Sequence, residues 1–371
     1  MANKSRSKAG IAAMLVVCAI AVAAGAWFST PRDGYALTTV TSGVATHAKK
    51  AVAKSKSKAK SKAATPSSVG ALNTLMTGDG KYVYFAEQSV EPGAGPTLRK
   101  VSRMRADGSG YQCLYEGVDG DFISGIRVSG QWLVVSMGDD IISMKKDGSE
   151  AHVIVAAAMG YPRGGRFAVH EGEVYYPIVA GPGAWEIRSC AASGSASSVV
   201  CAGEYAQGSL GPQVEGVAGG RVVFTTGEQQ GGYSCLYTLW SAPIAGGDAD
   251  ELGKSFFGRA AVTGGRACFM YGGSFRSILP DGSDHKEGCA IPGNGDGRLY
   301  NVTDDVAYIG MGSKMWRVSL PEGKTTALGE QHFESGSMEI VDGKVYFHYG
   351  IEGAICKVDA SMANQGEFWR P

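Results

Sequence analysis

The chain has 371 residues, 55 of them glycine, with only 19% charged residues and no formal net charge. So much glycine beside so little charge argues against an α/β enzyme with long amphipathic helices and fits many short strands joined by tight turns. The neutrality is a cancellation: residues 1–66 hold eleven Lys/Arg against one Asp, which leaves 24 basic and 34 acidic side chains after them and excludes a broadly basic nucleic-acid-binding face.

In chain order, residues 1–8 form a basic leader with Lys4, Arg6 and Lys8, and an uncharged run follows from Ala9 to Phe28. At ~1.5 Å per residue this run reaches about 30 Å, the depth of a bilayer core. It predicts a membrane-targeting helix over 9–28 with residues 1–8 cytoplasmic and the remainder outside. Ala24-Gly25-Ala26 also offers a small-x-small cleavage site. An uncleaved single-pass signal-anchor and a cleaved secretory signal are therefore both consistent, and the length of the run favours the anchor. Cys18 follows the bulky Val17 inside the run and reads as a membrane-buried cysteine, not a lipid acceptor.

Residues 29–70 read as a disordered basic linker, with seven lysines between Lys49 and Lys62 alternating with Ala and Ser. Its composition resembles a linker-histone tail, but the apolar segment before it points to export and so away from nucleic acid. Outside the cell such a stretch would meet anionic wall polymers or the negative membrane face, or serve as a plain spacer.

From residue 71 to 371 one unit recurs seven times. Its clearest mark is a second strand: Val83-Tyr84-Phe85, Leu133-Val134-Val135, Val174-Tyr175-Tyr176, Val222-Val223-Phe224, Ala267-Cys268-Phe269, Val306-Ala307-Tyr308 and Val345-Tyr346-Phe347. Their first residues lie 50, 41, 48, 45, 39 and 39 positions apart, the period of a four-stranded propeller blade. In the second unit the strands read as Ile126–Val128, Trp132–Met137, Asp140–Lys145 and His152–Val155. Asp-Gly-Ser at 107–109, 147–149 and 281–283 marks structural turns between strands three and four. The fold expected is all-β: a seven-bladed β-propeller of four-stranded antiparallel blades, each continuous in sequence, running from Leu72 to Trp369 and closed by packing of the first blade on the seventh.

The Val-Tyr-Phe strand followed by Arg103-Met104-Arg105-Ala106-Asp107-Gly108-Ser109 resembles the extracytoplasmic bacterial propellers of the uncharacterised DUF5050 and TolB-like type. The resemblance covers about residues 71–369. It implies a binding or scaffolding role at the cell surface and brings no catalytic residues with it. The turns of the third and fourth units depart from Asp-Gly-Ser.

Recognition is expected on one end of the ring, where the loops between strands two and three (87–96, 179–185, 227–234 and 271–274) join the connections between blades. Arg166, Arg259 and Arg298 each stand eight residues before their marker strand and follow a glycine, which brings three guanidinium groups near the mouth of the central channel. There they could bind a carboxylate, a phosphate or a sulfated sugar, or pair with neighbouring-blade carboxylates such as Asp121 or Glu334. Tyr161, Trp185 and Phe257 are candidate stacking residues beside them. Cys190 and Cys201 flank a turn-like stretch and form a candidate disulfide, with small buried thiols as the alternative.

Catalytic signatures are missing: the sequence has no Gly-x-Ser-x-Gly, His-Glu-x-x-His or Walker motif, and its six histidines do not reach metal-ligand spacing. The sequence therefore points to a monomeric, non-catalytic module with no metal or cofactor that binds an extracellular protein, peptide or anionic glycan. The alternative is a surface hydrolase or lyase acting on wall polysaccharide or peptidoglycan fragments.

Overall fold

The computed structural model describes residues 75–359 apart from 90–96, 119, 157–159, 161–165, 205–208, 230–234, 257–259, 294–296, 312–313, 321, 331–336, 342–343 and 350–353. The targeting segment, the linker and the expected last strand at 367–369 lie outside the described residues. Among those described, no helix is long and apolar enough to cross a membrane.

The described residues form seven antiparallel sheets, six of four strands and one of three, each with its strands in chain order. The first sheet holds β1 (Met76–Gly78), β2 (Tyr82–Ser89), β3 (Thr97–Arg105) and β4 (Gln112–Glu116). The second holds β5 (Ile123–Ser129), β6 (Trp132–Met137), β7 (Asp140–Lys145) and β8 (His152–Val155), the last three with the limits read from sequence. The third holds β9 (Ala168–His170), β10 (Glu173–Gly181), β11 (Ala184–Ala191) and β12 (Ser198–Glu204). The fourth holds β13 (Leu210–Ala218), β14 (Arg221–Gln229), β15 (Cys235–Pro243) and β16 (Asp250–Phe256). The fifth holds β17 (Ala261–Thr263), β18 (Arg266–Tyr271), β19 (Ser274–Ile278) and β20 (Lys286–Ala290). The sixth holds β21 (Arg298–Val302), β22 (Val306–Met311), β23 (Lys314–Ser319) and β24 (Lys324–Glu330). The seventh holds β25 (Ser337–Val341), β26 (Lys344–Tyr349) and β27 (Ala354–Asp359).

Packing explains why the second strands are apolar at successive positions. A strand covered on both faces has no water-facing side, so the usual alternation of apolar and polar residues is lost. Tyr176 belongs to the layer between the second and third sheets, with Val134, Ile141 and Val155. Its neighbour Tyr175 belongs to the layer between the third and fourth, with Val214, Val222 and Phe224. Further layers join the first sheet to the second, the fourth to the fifth, the fifth to the sixth and the sixth to the seventh. First strands lie against first strands in the order β1, β5, β9, β13, β17, β21, β25, and β25 lies against β1.

The Asp-Gly-Ser turns are structural, as their sequence implies. Asp107, Asp147 and Asp281 each accept from both the backbone N–H and the hydroxyl of the serine two residues on, at 2.6–3.0 Å. The central Gly108, Gly148 and Gly282 have φ of 87°, 88° and 82°, the left-handed region glycine enters without strain.

Candidate functional site at the inter-sheet end of the first strands

With each sheet antiparallel in chain order, the turns after first and third strands fall at one end, and the loops after second strands share the other end with the inter-sheet connections. The expected contrast in loop length is only partly present. β10 runs on to Gly181 and β18 to Tyr271, so the loops at 179–185 and 271–274 shrink to Pro182-Gly183 and Gly272-Gly273. Exposed apolar surface occurs at both ends. Of the nine exposed large apolar side chains among the described residues, Val118, Phe122, Val179, Leu210 and Tyr271 lie at the inter-sheet end, Val118 at 73% exposure, and Tyr111, Val153, Val199 and Ile244 lie toward the turn end.

Register locates the arginines. In every second strand the first fully buried residue is Val83, Leu133, Val174, Val222, Ala267, Ala307 or Val345. Three residues further on, the partners in the first strands define one level near the inter-sheet end. Leu75 stands there opposite Ala86, Gly125 opposite Ser136, Gln213 opposite Thr225, Arg298 opposite Gly310 and Ser337 opposite His348. Continuing the β9–β10 register two places puts Arg166 at the same level. The marker of the sixth unit is thus Ala307 rather than Val306, and a bulge between Leu299 and Asn301 restores the one-residue difference. Two slips cancel, so Arg166 and Arg298 are structural equivalents.

Their surroundings differ. The side chains of Arg166 and Glu215 are 9% and 3% exposed and form an ion pair from Nη1 to Oε2. Thr225 donates to the other carboxylate oxygen, Oε1, at 2.8 Å. The Arg166 backbone N–H donates to Gln213 Oε1 at 3.0 Å, and Val214 N–H donates to the Arg166 carbonyl at 3.3 Å. Arg166 is therefore neutralised and locked to the fourth sheet. Glu215 reaches it because a bulge in β13 between Val214 and Gly216 leaves Glu215 unpaired in the ladder.

Tyr300 holds the corresponding bulge position in β21, between Leu299 and Asn301. Its ring lies over Gly310, where an added Cβ would stand 2.6 Å from the ring carbon Cε2. The Arg298 guanidinium lies 5.2 Å from the ring centre, and among the described residues it meets no carboxylate. On the opposite face of the sixth sheet, Met270 and Met311 bring their methyl groups to Gly297, within 2.5 and 3.2 Å of where a Cβ would be, in the layer shared with the fifth sheet. The half-buried Arg298 is thus oriented by an aromatic face on the side of the seventh sheet.

The other expected site residues fare variously. Arg259, Tyr161 and Phe257 lie outside the described residues. Trp185 is a correction: it lies inside β11, buried, with its ring edge-on to Phe224 at 5.4 Å and lying against Gly203. It is a core side chain because the preceding turn takes only two residues. Cys190 and Cys201 are also corrected, since both thiols are free. Strand pairing sets Cys201 opposite Ile187, three residues from Cys190, and the two face opposite sides of the third sheet. Burial pushes the Cys190 thiol up to about 11 and the Cys201 thiol up to about 12, against an ordinary 9.0. Among the described residues no group of three His, Cys, Asp or Glu stands close enough to hold a metal ion.

Sequence reasoning missed Glu215, Thr225, Tyr300 and Gly310. A carboxylate inside the apolar first strand Val214-Glu215-Gly216-Val217 is the signal that could have found the ion pair. Tyr300 has no such signal, because its role depends on a bulge that the repeat period conceals.

No protein-family model matches this chain, and no curated protein matches it. Solved structures do. Prolyl endopeptidases align at 13% identity and a TM-score of 0.53, over 82% of this chain and 50% of theirs. The oligogalacturonate lyase of Vibrio parahaemolyticus aligns at 11% identity and 0.53, over 79% of this chain and 90% of its own. A puromycin hydrolase variant aligns at 11% and 0.52, over 78% and 52%. This chain thus spans about half of each peptidase chain. At these identities the likeness concerns fold alone, and with the repeated four-stranded sheets it defines the class as a β-propeller.

Proposed function

We propose that the protein is a non-catalytic recognition module, a seven-bladed propeller exported from the cell and held at its membrane by residues 9–28 on the basic linker 29–70. Cleavage after the apolar run would instead release it. The seven consecutive sheets and the contact of β25 with β1 support the blade count. The leader, apolar run and lysine-rich linker support export and tethering.

Its partner is a protein, peptide or glycan at the cell surface, bound at the inter-sheet end. One observation carries this reading: the most exposed large apolar side chain among the described residues, Val118 at 73%, lies at that end together with Phe122, Val179, Leu210 and Tyr271. The test is binding of the full-length protein to peptide and glycan arrays, with Phe122→Asp and Leu210→Asp compared with Ile244→Asp at the turn end. Loss of binding in the first two alone is expected. Equal binding by all three would remove this end from recognition, and turnover of a bound chain would replace the reading with that of a surface hydrolase or lyase.

A further inference from the structure

We propose that the lysine-flanked segment Lys49-Lys50-Ala51-Val52-Ala53-Lys54 docks within its own chain on the exposed loop of residues 117–122 and covers it. The inference goes beyond the reading of the inter-sheet end as the recognition end and does not require it. Val118 and Phe122, 73% and 44% exposed, are held out by a fixed loop. Val118 N–H donates to Asp121 Oδ2 at 2.9 Å, and Asp121 N–H donates back to the Val118 carbonyl at 3.1 Å. Gly138 N–H donates to the Phe122 carbonyl at 2.9 Å, and Asp121 Oδ1 lies 3.1 Å from where a Cβ on Gly138 would stand. These contacts join the loop to the tip of the β6–β7 hairpin, where Asp139 is exposed and Asp140 partly so. Two apolar side chains and three carboxylates therefore share one small surface. Glu116, just before the loop, is already met by Arg99 and Lys100 at 3.5 and 3.7 Å.

Charge and chain length select the occupant. Residues 1–66 carry eleven Lys/Arg against one Asp, and the rest of the chain carries 24 basic against 34 acidic side chains, so tether and folded part have opposite sign. Between Lys49 and Lys62, Val52 is the one apolar side chain larger than alanine, and lysines stand on both sides of it. The segment thus complements the surface: an apolar centre flanked by charges of the opposite sign. The chain also enters the fold beside that surface. The Leu75 carbonyl accepts from Ala86 N–H at the inter-sheet end, and β1 lies against β5, the strand that follows the loop. The 22 residues from Ala53 to Thr74 span about 25 Å by random-coil statistics. Tethering at that distance gives an effective concentration on the order of millimolar, so a contact too weak to hold two separate molecules together is still populated within one chain. Exposed charges are screened beyond about 10 Å at 0.1 M salt, which makes the contact salt-sensitive.

The experiment uses the full-length protein in an uncharged detergent, with Ala53 replaced by the photoreactive residue p-benzoylphenylalanine and the captured residues mapped by mass spectrometry. At about 50 mM salt most capture is expected at residues 117–122 and 138–140, falling about threefold or more at roughly 0.5 M. The same fall is expected for Lys49→Gln, Lys50→Gln and Lys54→Gln together, for Asp139→Asn with Asp140→Asn, and for Val118→Ser with Phe122→Ser, with the thermal midpoint as the folding control. Capture scattered over the surface or centred on the turn end overturns the proposal, as does capture that neither salt nor these substitutions change. In a mixture of isotopically heavy and light copies, capture between copies overturns the within-chain assignment. The lysine variant is then compared with the native protein on the peptide and glycan arrays. Binding about threefold stronger or more is expected for the variant, because a partner no longer has to displace the segment. If capture stands and that binding is unchanged, the docking stands and the recognition reading of this end fails.

Discussion

Arg166 and Arg298 share one level of the first strands, but Arg166 meets Glu215 from the bulge of the neighbouring strand β13, whereas Arg298 lies over Tyr300 from the bulge of its own strand β21. Burying an ion pair costs solvation for both charges, so removing one partner leaves an uncompensated charge and destabilises by about 3–5 kcal/mol. Glu215→Ala and Arg166→Ala are each expected to show that loss in urea titrations. Arg298→Ala should cost no more than about 1 kcal/mol, the scale of a half-exposed cation–π contact. Equal losses at Arg166 and Arg298 would contradict the distinction drawn between them. Gly310→Ala should be destabilising by about 1–3 kcal/mol through overpacking against the Tyr300 ring. The three-arginine pattern was legible because both members that are described obey one spacing. The fate of each was not, because a bulge residue leaves no periodic trace.

Elements were more legible than sites. Strands β6 to β8 have the limits read from hydrophobic pattern, since a strand covered on both faces is bounded by glycine and polar turns on either side. Trp185 and the two cysteines failed for one physical reason: strand register, which turn lengths and bulges decide, sets which face a side chain takes. Alkylation of the native protein followed by mass spectrometry should label the exposed Cys113 and spare Cys190 and Cys201, with no change in thermal midpoint under reductant. Labelling of Cys190 and Cys201 before unfolding would show that their strands open.

At the turn end, the first and second sheets are joined through Asp79, which accepts from Lys146 Nζ at 2.8 Å and from Tyr84 Oη at 3.1 Å, while Arg103 donates to the Lys146 carbonyl at 2.6 Å. Burial raises the Asp79 carboxyl, but the Lys146 ammonium and the backbone N–H groups of Tyr82 and Lys81 outweigh it and leave the group below its ordinary 3.8. A carboxylate depressed on folding stabilises above its unfolded value and loses that contribution as pH falls through the folded one. Stability should therefore decline below about pH 4 in the native protein, and the decline should be shallower in Asp79→Asn. An unchanged acid limb in that variant would show that the latch does not titrate with folding.

At the scale of the whole molecule, stability depends on every sheet having a neighbour on each face. Met76, Val83 and Phe85 are buried on the side of the first sheet that does not meet the second, and β25 lies against β1. A chain ended after Glu330 should leave that surface and the layer around Tyr308 and Met338 uncovered. Loss of a cooperative melt and strong binding of a hydrophobic dye are expected, and an unchanged melt would mean that the seventh sheet is dispensable.

The bulge in the first strand has a further consequence. Because the extra residue is absorbed within one strand and the ladder resumes in register on either side, the sheet can project a buried carboxylate toward its neighbour, as Glu215 does toward Arg166, without giving up its own pairing.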